Sequence, residues 1–379
     1  MRFALTLLVV IANLSITPDA SAIIRRHDRP DRAYLELGSK YPAVTRLGGG
    51  TATLIAPEWI ITAAHVSVNL TPFDHSVEFG GRSYRIVGMV RHPKWRAESG
   101  PTSVDIALLK LHAPVAGVEP ARPYQGRDEK GMKVIFVGPG MSGTGQTGPR
   151  ADDGKWRGAR NTVEDVLENW VTFKFDEPPA GDELEGISGP GDSGGPALVE
   201  TDEGLRIIGV SSANDDKGAA GPCRYHSTEY YARVSSVIGW LNETMKSPPP
   251  PLEDYGKIID LKKSPFPKTK AGRVAKAFFK AWSSDDADAM AAFERKHRAA
   301  AALEARPVEE RVESWQTFRA EWGALKPRLA VKGRDNDLYL LVRAEKEGVW
   351  KTFQFILEPE KPHKLTGINI GSPAPAPRE

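Results

Sequence analysis

The sequence has a single cysteine, Cys223, among 379 residues. No disulfide can form within the chain, which excludes disulfide-stapled folds and zinc sites built from several cysteines. An excess of charge of one sign is also lacking, since 51 Lys and Arg against 49 Asp and Glu give a net charge of +2. This balance does not favour a nucleic acid or an anionic membrane as partner. The length favours two domains, each held together by burial of apolar side chains.

Long apolar runs are absent, and the one short run lies at the N-terminus. Arg2 precedes an apolar run over residues 3–12, and Ala20-Ser21-Ala22 follows as a small-residue cleavage site. This order is typical of a secretory signal peptide, whereas a membrane span needs about 20 apolar residues. We expect residues 1–22 to be removed by cleavage after Ala22 and the mature protein to be secreted or periplasmic, with no membrane anchor. A lone cysteine in an exported protein favours a bacterial source.

Residues 43–245 predict short strands separated by Gly, Pro, Asn and Asp turns, with no helices between them. This pattern indicates an antiparallel barrel or sandwich rather than alternating strands and helices. The clearest strands cover residues 51–55, 59–62, 84–90, 106–111, 134–137, 170–175, 197–200, 205–210 and 229–233, and a helix follows over 234–246.

A proline run marks a domain boundary. Residues 247–256, which begin Ser-Pro-Pro-Pro-Pro, predict a semi-rigid linker. Apolar residues at helical spacing then predict three helices, and alternation at 338–342 and 353–357 predicts strands. Residues 257–372 are therefore expected to form a smaller α+β domain. The Pro/Ala segment 373–379 predicts a disordered tail.

The strongest chemical signal is the segment Gly191-Asp192-Ser193-Gly194-Gly195-Pro196. A serine hydroxyl becomes a nucleophile when a base removes its proton, and its reaction needs backbone N–H groups directed at the developing oxyanion. Flanking glycines allow the sharp turn that this requires. A glycine-rich hairpin turn is the alternative, but it does not explain the apolar strand that follows.

A base and a carboxylate stand in two other motifs. His65 differs from the other histidines because it ends Ile61-Thr62-Ala63-Ala64-His65, directly after an apolar strand. Asp105 begins the apolar segment 105–111, where a carboxylate is costly unless it is paired. Such a carboxylate can fix the tautomer of a catalytic imidazole. Taken alone, His65 could be a core histidine and Asp105 a turn cap.

The order His65, Asp105, Ser193, each within its motif, resembles the chymotrypsin/trypsin family of serine proteases. The resemblance covers about residues 23–246 and implies a mostly β fold, a double antiparallel β-barrel of the chymotrypsin type followed by a helix. It implies that Asp105 orients His65, the general base and acid, while Ser193 forms the acyl-enzyme. It also implies an oxyanion hole made by the backbone N–H groups of Gly191 and Ser193. No cofactor and no metal is implied.

The resemblance further implies residues that select the substrate. Ser212 lies in the segment that pairs with the substrate backbone. Trypsin-like relatives have an aspartate six residues before the serine to attract Lys or Arg, but this chain has Ile187, which favours apolar side chains. Glu229 falls on the opposite wall of the pocket, where its carboxylate could bind a cation; a solvent-facing Glu229 is the alternative. We expect apolar side chains to be accepted and Lys or Arg to be tolerated.

Members of the family pair a newly formed aliphatic N-terminus with the acid before the serine, which is Asp192 here. Cleavage after Ala22 would expose Ile23 for this pairing. The sequence departs from the family at Arg25-Arg26, where glycines are usual, and in lacking the cysteines that pin the pocket.

The Gly-x-Gly-x-x-Gly match at residues 138–143 is assigned to a loop, because the segment that follows cannot open a helix.

The C-terminal domain resembles the NTF2-like or cystatin-like modules appended to some bacterial serine hydrolases. No second catalytic constellation is found in it, and its partner is unknown. The sequence as a whole predicts an exported serine endopeptidase whose partners are protein or peptide substrates. The alternatives are a catalytically silent protease fold used for binding and an esterase that uses the same triad.

Overall fold

The computed structural model describes residues 23–97, 102–151, 153–252, 257–333 and 337–374. The predicted signal peptide lies outside them. The described chain begins with strand β1 (Ile24–Arg25) and helix α1 (Asp31–Gly38), neither of which was predicted. Buried Arg157 binds Asp31, the first residue of α1, through two hydrogen bonds of 2.7 Å. This contact fixes the N-terminal segment to the sheet that contains Arg157.

The first barrel is a six-stranded antiparallel sheet with helix α2 (Ala64–Val68) and a 3₁₀ turn (Pro72–Asp74) between its strands. Its strands are β2 (Val44–Leu47), β3 (Gly50–Ala56), β4 (Trp59–Thr62), β5 (Ser76–Phe79), β6 (Arg82–Arg91) and β7 (Ala107–Leu111). They run in the order β2-β3-β4-β7-β6-β5. The two outer strands meet where the Thr45 hydroxyl donates to the Glu78 carbonyl at 2.8 Å, so the sheet curls back on itself.

The second barrel consists of β8 (Arg122–Pro123), β9 (Lys133–Gly138), β10 (Ser142–Thr144), β11 (Gly148–Ala151), β12 (Arg157–Thr162), β13 (Asp165–Val166), β14 (Trp170–Lys174), β15 (Gly186–Ile187), β16 (Pro196–Thr201), β17 (Gly204–Asp215) and β18 (Thr228–Arg233). The main sheet has the order β12-β9-β16-β17-β18-β14-β13, with β8 beside β17. A small sheet, β11-β10-β1-β15, adjoins it. Stacked and edge-on rings of Phe136, Phe173 and Tyr231 fill the barrel. A 3₁₀ turn (Val234–Val237) and helix α3 (Ile238–Lys246) follow.

The first half of the proline linker lies against the first barrel. The backbone N–H of Met89 donates to the Pro250 carbonyl, and that of Leu252 donates to the Val87 carbonyl, both at 3.2 Å. These bonds attach the linker to β6 in the manner of an added strand. Residues 253–256 of the predicted linker lie outside the described residues.

The C-terminal unit has α+β architecture. Its elements are β19 (Ile259–Asp260), α4 (Lys270–Ser283), α5 (Ala287–His297), α6 (Ala300–Ala305), α7 (Val308–Trp322), β20 (Leu325–Lys332), β21 (Leu338–Ala344), β22 (Val349–Leu357) and β23 (Leu365–Ala374). The strands run in numerical order, so β23 is an edge. The strand extends two residues into the predicted tail, and residues 375–379 lie outside the described part.

Both faces of the C-terminal sheet are covered, at least in part. On one face, Phe353 and Phe355 pack against Phe278 and Phe279 of α4. On the other face, Leu341 is only 2% exposed although it is not part of that core, and it lines a cleft together with residues of the first barrel. The C-terminal unit is therefore docked on the first barrel. The predicted fold class, mostly β with two barrel-like sheets and a C-terminal α+β region, is confirmed.

Replacing Gly88 with alanine is expected to detach the linker, because its new Cβ would lie 2.5 Å from Cγ of Pro249. We expect a loss of about 1–3 kcal/mol in the free energy of unfolding, as for overpacking, and faster proteolysis within residues 247–252. Denaturant unfolding and limited proteolysis measure both. Gly239→Ala is the control, since nothing lies within 4 Å of its new Cβ. Equal proteolysis of the two variants would contradict the expectation.

Candidate active site

Asp105 lies two residues before β7 begins and is 5% exposed. One carboxylate oxygen accepts the backbone N–H of His65 at 2.9 Å, and the other accepts the ring Nδ1–H of the same residue at 2.6 Å. The Ser212 hydroxyl donates to that second oxygen, also at 2.6 Å. Burial raises the pKa of Asp105, but the hydrogen bonds from His65 and Ser212 outweigh burial and hold the pKa below its ordinary value. Asp105 is therefore an ionised partner for the imidazole.

His65 stands in the first turn of α2, immediately after β4. Ala63 and Ala64 before it are fully buried, so the strand and the small side chains fix the backbone from which the imidazole projects. The side chain of His65 is 35% exposed, whereas that of Asp105 is 8% exposed. The imidazole thus has one ring nitrogen bound to a buried carboxylate and an accessible second nitrogen, as a general base requires.

Ser193 stands in a turn that β3 holds in place. The Thr51 N–H donates to the Ser193 carbonyl at 2.8 Å, and the Thr51 hydroxyl donates to the Gly191 carbonyl at 3.1 Å. Gly194 has a φ of +81°, and a Cβ there would lie 2.2 Å from the Thr62 hydroxyl. The glycine is therefore needed both for its backbone conformation and for close packing of the two barrels.

Ser193 and His65 line the same cavity of about 830 Å³. Within the described part of the chain, no hydrogen bond joins the two side chains. Catalytic hydrogen bonds are often long without substrate and tighten when it binds. Among the described residues, the backbone N–H groups of Gly191 and Ser193 donate to no protein acceptor, so both are available for a ligand oxygen.

Asp192 points away from the cavity and is 1% exposed. Its carboxylate accepts the backbone N–H groups of Gly140 and Gly189, each at 2.8 Å, and that of Ile23. Burial nevertheless raises the pKa of Asp192 to about 6. A Cβ on Gly138 would lie 2.0 Å from the same carboxylate. The segment that the sequence assigned to a loop, 138–143, therefore forms a wall around Asp192.

Glu229 lies inside the second barrel rather than in solvent, with 4% exposure. It accepts the backbone N–H of Ser188 at 3.0 Å, and the Ser188 hydroxyl contacts that of Tyr231 at 2.5 Å. Burial, with the nearby charges of Asp192 and Asp216, raises the pKa of Glu229 to about 8. The carboxyl is therefore mostly neutral at pH 7, and a bound cation would favour its ionised form.

The remaining predicted pocket residue, Ile187, is fully buried in an apolar cluster with Ile24, Phe175, Cys223 and Tyr225. It pairs with Ile24 in the small sheet, so its position depends on the N-terminal segment.

The sequence profile of the trypsin family matches residues 27–241 of the chain. The chain belongs to the trypsin family. It is 27% identical over 267 residues to rat granzyme B, covering 63% of this chain and 98% of the relative. It is 27% identical over 264 residues to rat granzyme-like protein 1, covering 64% of this chain and 98% of that relative. It is 25% identical over 245 residues to mouse granzyme B(G,H), covering 59% of this chain and 89% of that relative. Membership of the trypsin family identifies the protein as a serine peptidase, which is a type of hydrolase.

Several residues of this trypsin-family site were not singled out in the sequence. Thr51 clamps the serine turn, Ser188 binds Glu229, and Gly138 and Gly140 make room for Asp192. Only the glycines gave a signal, and it resembled a nucleotide-binding motif. The cavity is also lined by the C-terminal residues Tyr339, Thr352, Gln354, Ile368, Asn369, Ile370 and Gly371, which no pattern connected with catalysis.

Proposed function

We propose that the protein is an exported serine endopeptidase that uses His65, Asp105 and Ser193. The observation that carries the proposal is the Asp105–His65 hydrogen bond of 2.6 Å, made next to the cavity that Ser193 lines. His65 Nε2 takes the hydroxyl proton as Ser193 Oγ attacks the peptide carbonyl carbon. The N–H groups of Gly191 and Ser193 bind the resulting oxyanion.

The second half of the reaction uses the same groups. Protonated His65 gives its proton to the leaving amine nitrogen, the C–N bond breaks, and the acyl group remains on Ser193. His65 then removes a proton from water, which attacks the ester carbonyl. Collapse of the second intermediate returns the proton to Ser193 and releases the acid. No cofactor takes part in these steps.

Replacing Ser193 or His65 with alanine is expected to lower kcat by roughly 10⁶-fold, since the triad acts as a unit, and Asp105→Asn is expected to cost somewhat less. Fluorophosphonate labelling and hydrolysis of a peptide and an ester measure these losses. Ser236→Ala, a serine bound to the Arg233 carbonyl, is the matched control. Retained activity in Ser193→Ala would show that Ser193 is not the nucleophile. An unlabelled wild type would favour a silent binding fold, and cleavage of esters alone would favour an esterase.

Export is part of the proposal because the N-terminal sequence orders a basic residue, an apolar run and an A-x-A site. In the described segments, every helix is too short or too polar to traverse a lipid bilayer.

We also propose that the C-terminal unit is an NTF2-like or cystatin-like module, supported by its helices α4–α7 beside one five-stranded antiparallel sheet.

Pairing of Ile23 with Asp192 is proposed as the activating step. Two features support it: the Ile23 backbone nitrogen already donates to Asp192, and Ile23 is fully buried. Ile23 also has a φ of +60°, which is strained for a β-branched residue. A free N-terminus has no preceding peptide group, so cleavage before Ile23 would remove that constraint. Arg25 and Arg26 are accommodated by carboxylates, Asp31 and Asp28 respectively.

The active enzyme is expected to begin at Ile23, as N-terminal sequencing would show. Asp192→Asn is expected to lower kcat/KM on the order of a hundredfold, because the new ammonium would be buried without its partner. Asp202→Asn, an exposed aspartate, serves as control. An active enzyme that starts at another residue would rule the pairing out.

The specificity proposal is a pocket that accepts apolar side chains and binds Lys or Arg through Glu229. A Glu229 carboxyl with a pKa of about 8 supports both preferences. Below that pH it is neutral and suits apolar side chains, and above it the carboxylate binds Lys or Arg. The backbone N–H of Ser188 binds this carboxyl, and the Ser188 hydroxyl contacts that of Tyr231.

The ratio of kcat/KM for a Lys substrate to that for a Phe substrate is expected to rise with pH through about 8, as Glu229 ionises. Using the ratio cancels the pH dependence of the triad. Glu229→Gln should remove the rise and selectively depress cleavage after Lys and Arg. Glu203→Gln, an exposed glutamate, is the control. An unchanged ratio in Glu229→Gln would refute a pocket role.

A further inference from the structure

The cavity at the catalytic residues has a second wall that belongs to the C-terminal unit. One side of the 830 Å³ cavity is formed by the protease residues Gly49, His65, Val66, Asn69, Gly191 and Ser193. The other side is formed by β21, β22 and β23. The proposed specificity residues Ile187, Ser212 and Glu229 do not line it. The cavity therefore extends from Ser193 away from the specificity pocket, toward the side where the leaving half of a substrate must lie.

Three polar side chains cross the C-terminal sheet on the face toward this cavity. Tyr339 is paired in register with Gln354, and Gln354 with Asn369. We call these three residues the polar row. The Asn369 amide donates to the Gln354 carbonyl oxygen at 3.2 Å, and the Gln354 amide donates to Asp337 at 2.8 Å. Gln354 and Asn369 are thus linked to each other, and Asp337 anchors Gln354 above the cleft.

Strand β23 also offers its backbone. It is the last strand of the sheet and pairs with β22, while its first residue, Leu365, also forms an isolated bridge with Arg298. Residues 368–371 line the cavity consecutively. Successive side chains of a strand point to opposite faces, so four consecutive lining residues mean that the cavity follows the outer edge of β23. Among the described residues, no backbone group of 366–371 bonds to any element other than β22. An unpaired edge is a template for an added strand.

We propose that the outer edge of β23, with the polar row, binds the part of a polypeptide substrate that follows the scissile bond, as an added β-strand. This inference rests on the proposed peptidase function. Residues 368–371 span about 13 Å at ~3.3 Å per residue, enough for about four substrate residues. The substrate class is an extended polypeptide segment, recognised mainly through its backbone. Ile370, which is 37% exposed at this edge, adds an apolar contact.

The test compares substrates that differ only after the scissile bond, using the full chain. An ester has no residues there, and three peptides have one, two or four. A fourth peptide has four residues with N-methylated backbone nitrogens, which cannot donate to an edge strand. We expect kcat/KM to rise roughly tenfold or more from one residue to four, and N-methylation to remove most of the gain, as for several lost hydrogen bonds.

The outcomes separate this inference from the peptidase proposal. If the ester is hydrolysed through Ser193 and peptide length has no effect, the β23 site is wrong and the peptidase proposal stands. If neither ester nor peptide is hydrolysed, the peptidase proposal itself is wrong. Equal rates for the methylated and unmethylated peptides would overturn β-strand addition.

Variants assign the effect to the C-terminal sheet. Gln354→Ala and Asn369→Ala are expected to lower the ratio of four-residue peptide to ester hydrolysis by roughly three- to tenfold, the size of a lost hydrogen bond. The ester rate of the same preparation reports its folded fraction. Gln316→Ala, an exposed glutamine on α7, is the matched control. An unchanged ratio in both variants would overturn the role of the sheet, and an increased ratio would show that the sheet blocks the cleft.

Discussion

The geometry of the loop that carries Ser193 depends on one buried carboxylate, that of Asp192. A buried anion is costly unless backbone or side-chain donors surround it, and the donors here are the peptide N–H groups of Gly140, Gly189 and Ile23. Gly189 lies three residues before Asp192, whereas Gly140 and Ile23 belong to distant parts of the chain, so the carboxylate ties the loop to two other segments. Asp192 directly precedes Ser193, so its burial fixes the turn from which the serine projects. The Ser193 hydroxyl, the proposed nucleophile, is thus positioned by a group that does not line the cavity.

The proposed reaction also requires the two barrels to be docked, because each barrel supplies part of the candidate site. His65 and Asp105 belong to the first barrel, whereas Ser193 belongs to the second. The barrels meet where Thr51 of β3 holds the serine turn and Ser212 of β17 donates to Asp105. Small shifts between the barrels would lengthen these bonds together. The proline linker and the C-terminal sheet both lie on the first barrel, so the third structural unit is fixed to the half that carries His65, the proposed base.

The sequence predicts the triad because each member stands in a short local motif whose chemistry can be read from its neighbours. It also predicts most strands, since turns and alternation are local. The features it missed depend on contacts between distant segments. Helix α1 has only Tyr34 and Leu37 as buried apolar side chains within a charged stretch, so no helical pattern identifies it. The burial of Glu229 beside Ser188, and the placement of β23 over Ser193, are consequences of packing that no residue spacing encodes.

A chain with one cysteine must hold its long-range connections without disulfides, and two ion pairs that each contain a buried arginine stand at such connections. Arg157 joins the second barrel to Asp31 in the N-terminal segment, 126 residues away. Arg233 binds Glu129 through two hydrogen bonds of 2.8 and 2.7 Å over 104 residues, and Ser235, in the 3₁₀ turn before α3, donates to the same carboxylate. Losing one partner of a buried ion pair costs about 3–5 kcal/mol, because the other charge stays buried alone. This applies to Arg233 and Glu129, whereas Arg157 also binds Asp153 at 3.2 Å and keeps that partner when Asp31 is lost. Both pairs therefore fix segments on which the site depends: the strand that carries Ile24 against Ile187, and the β18 strand that carries Glu229.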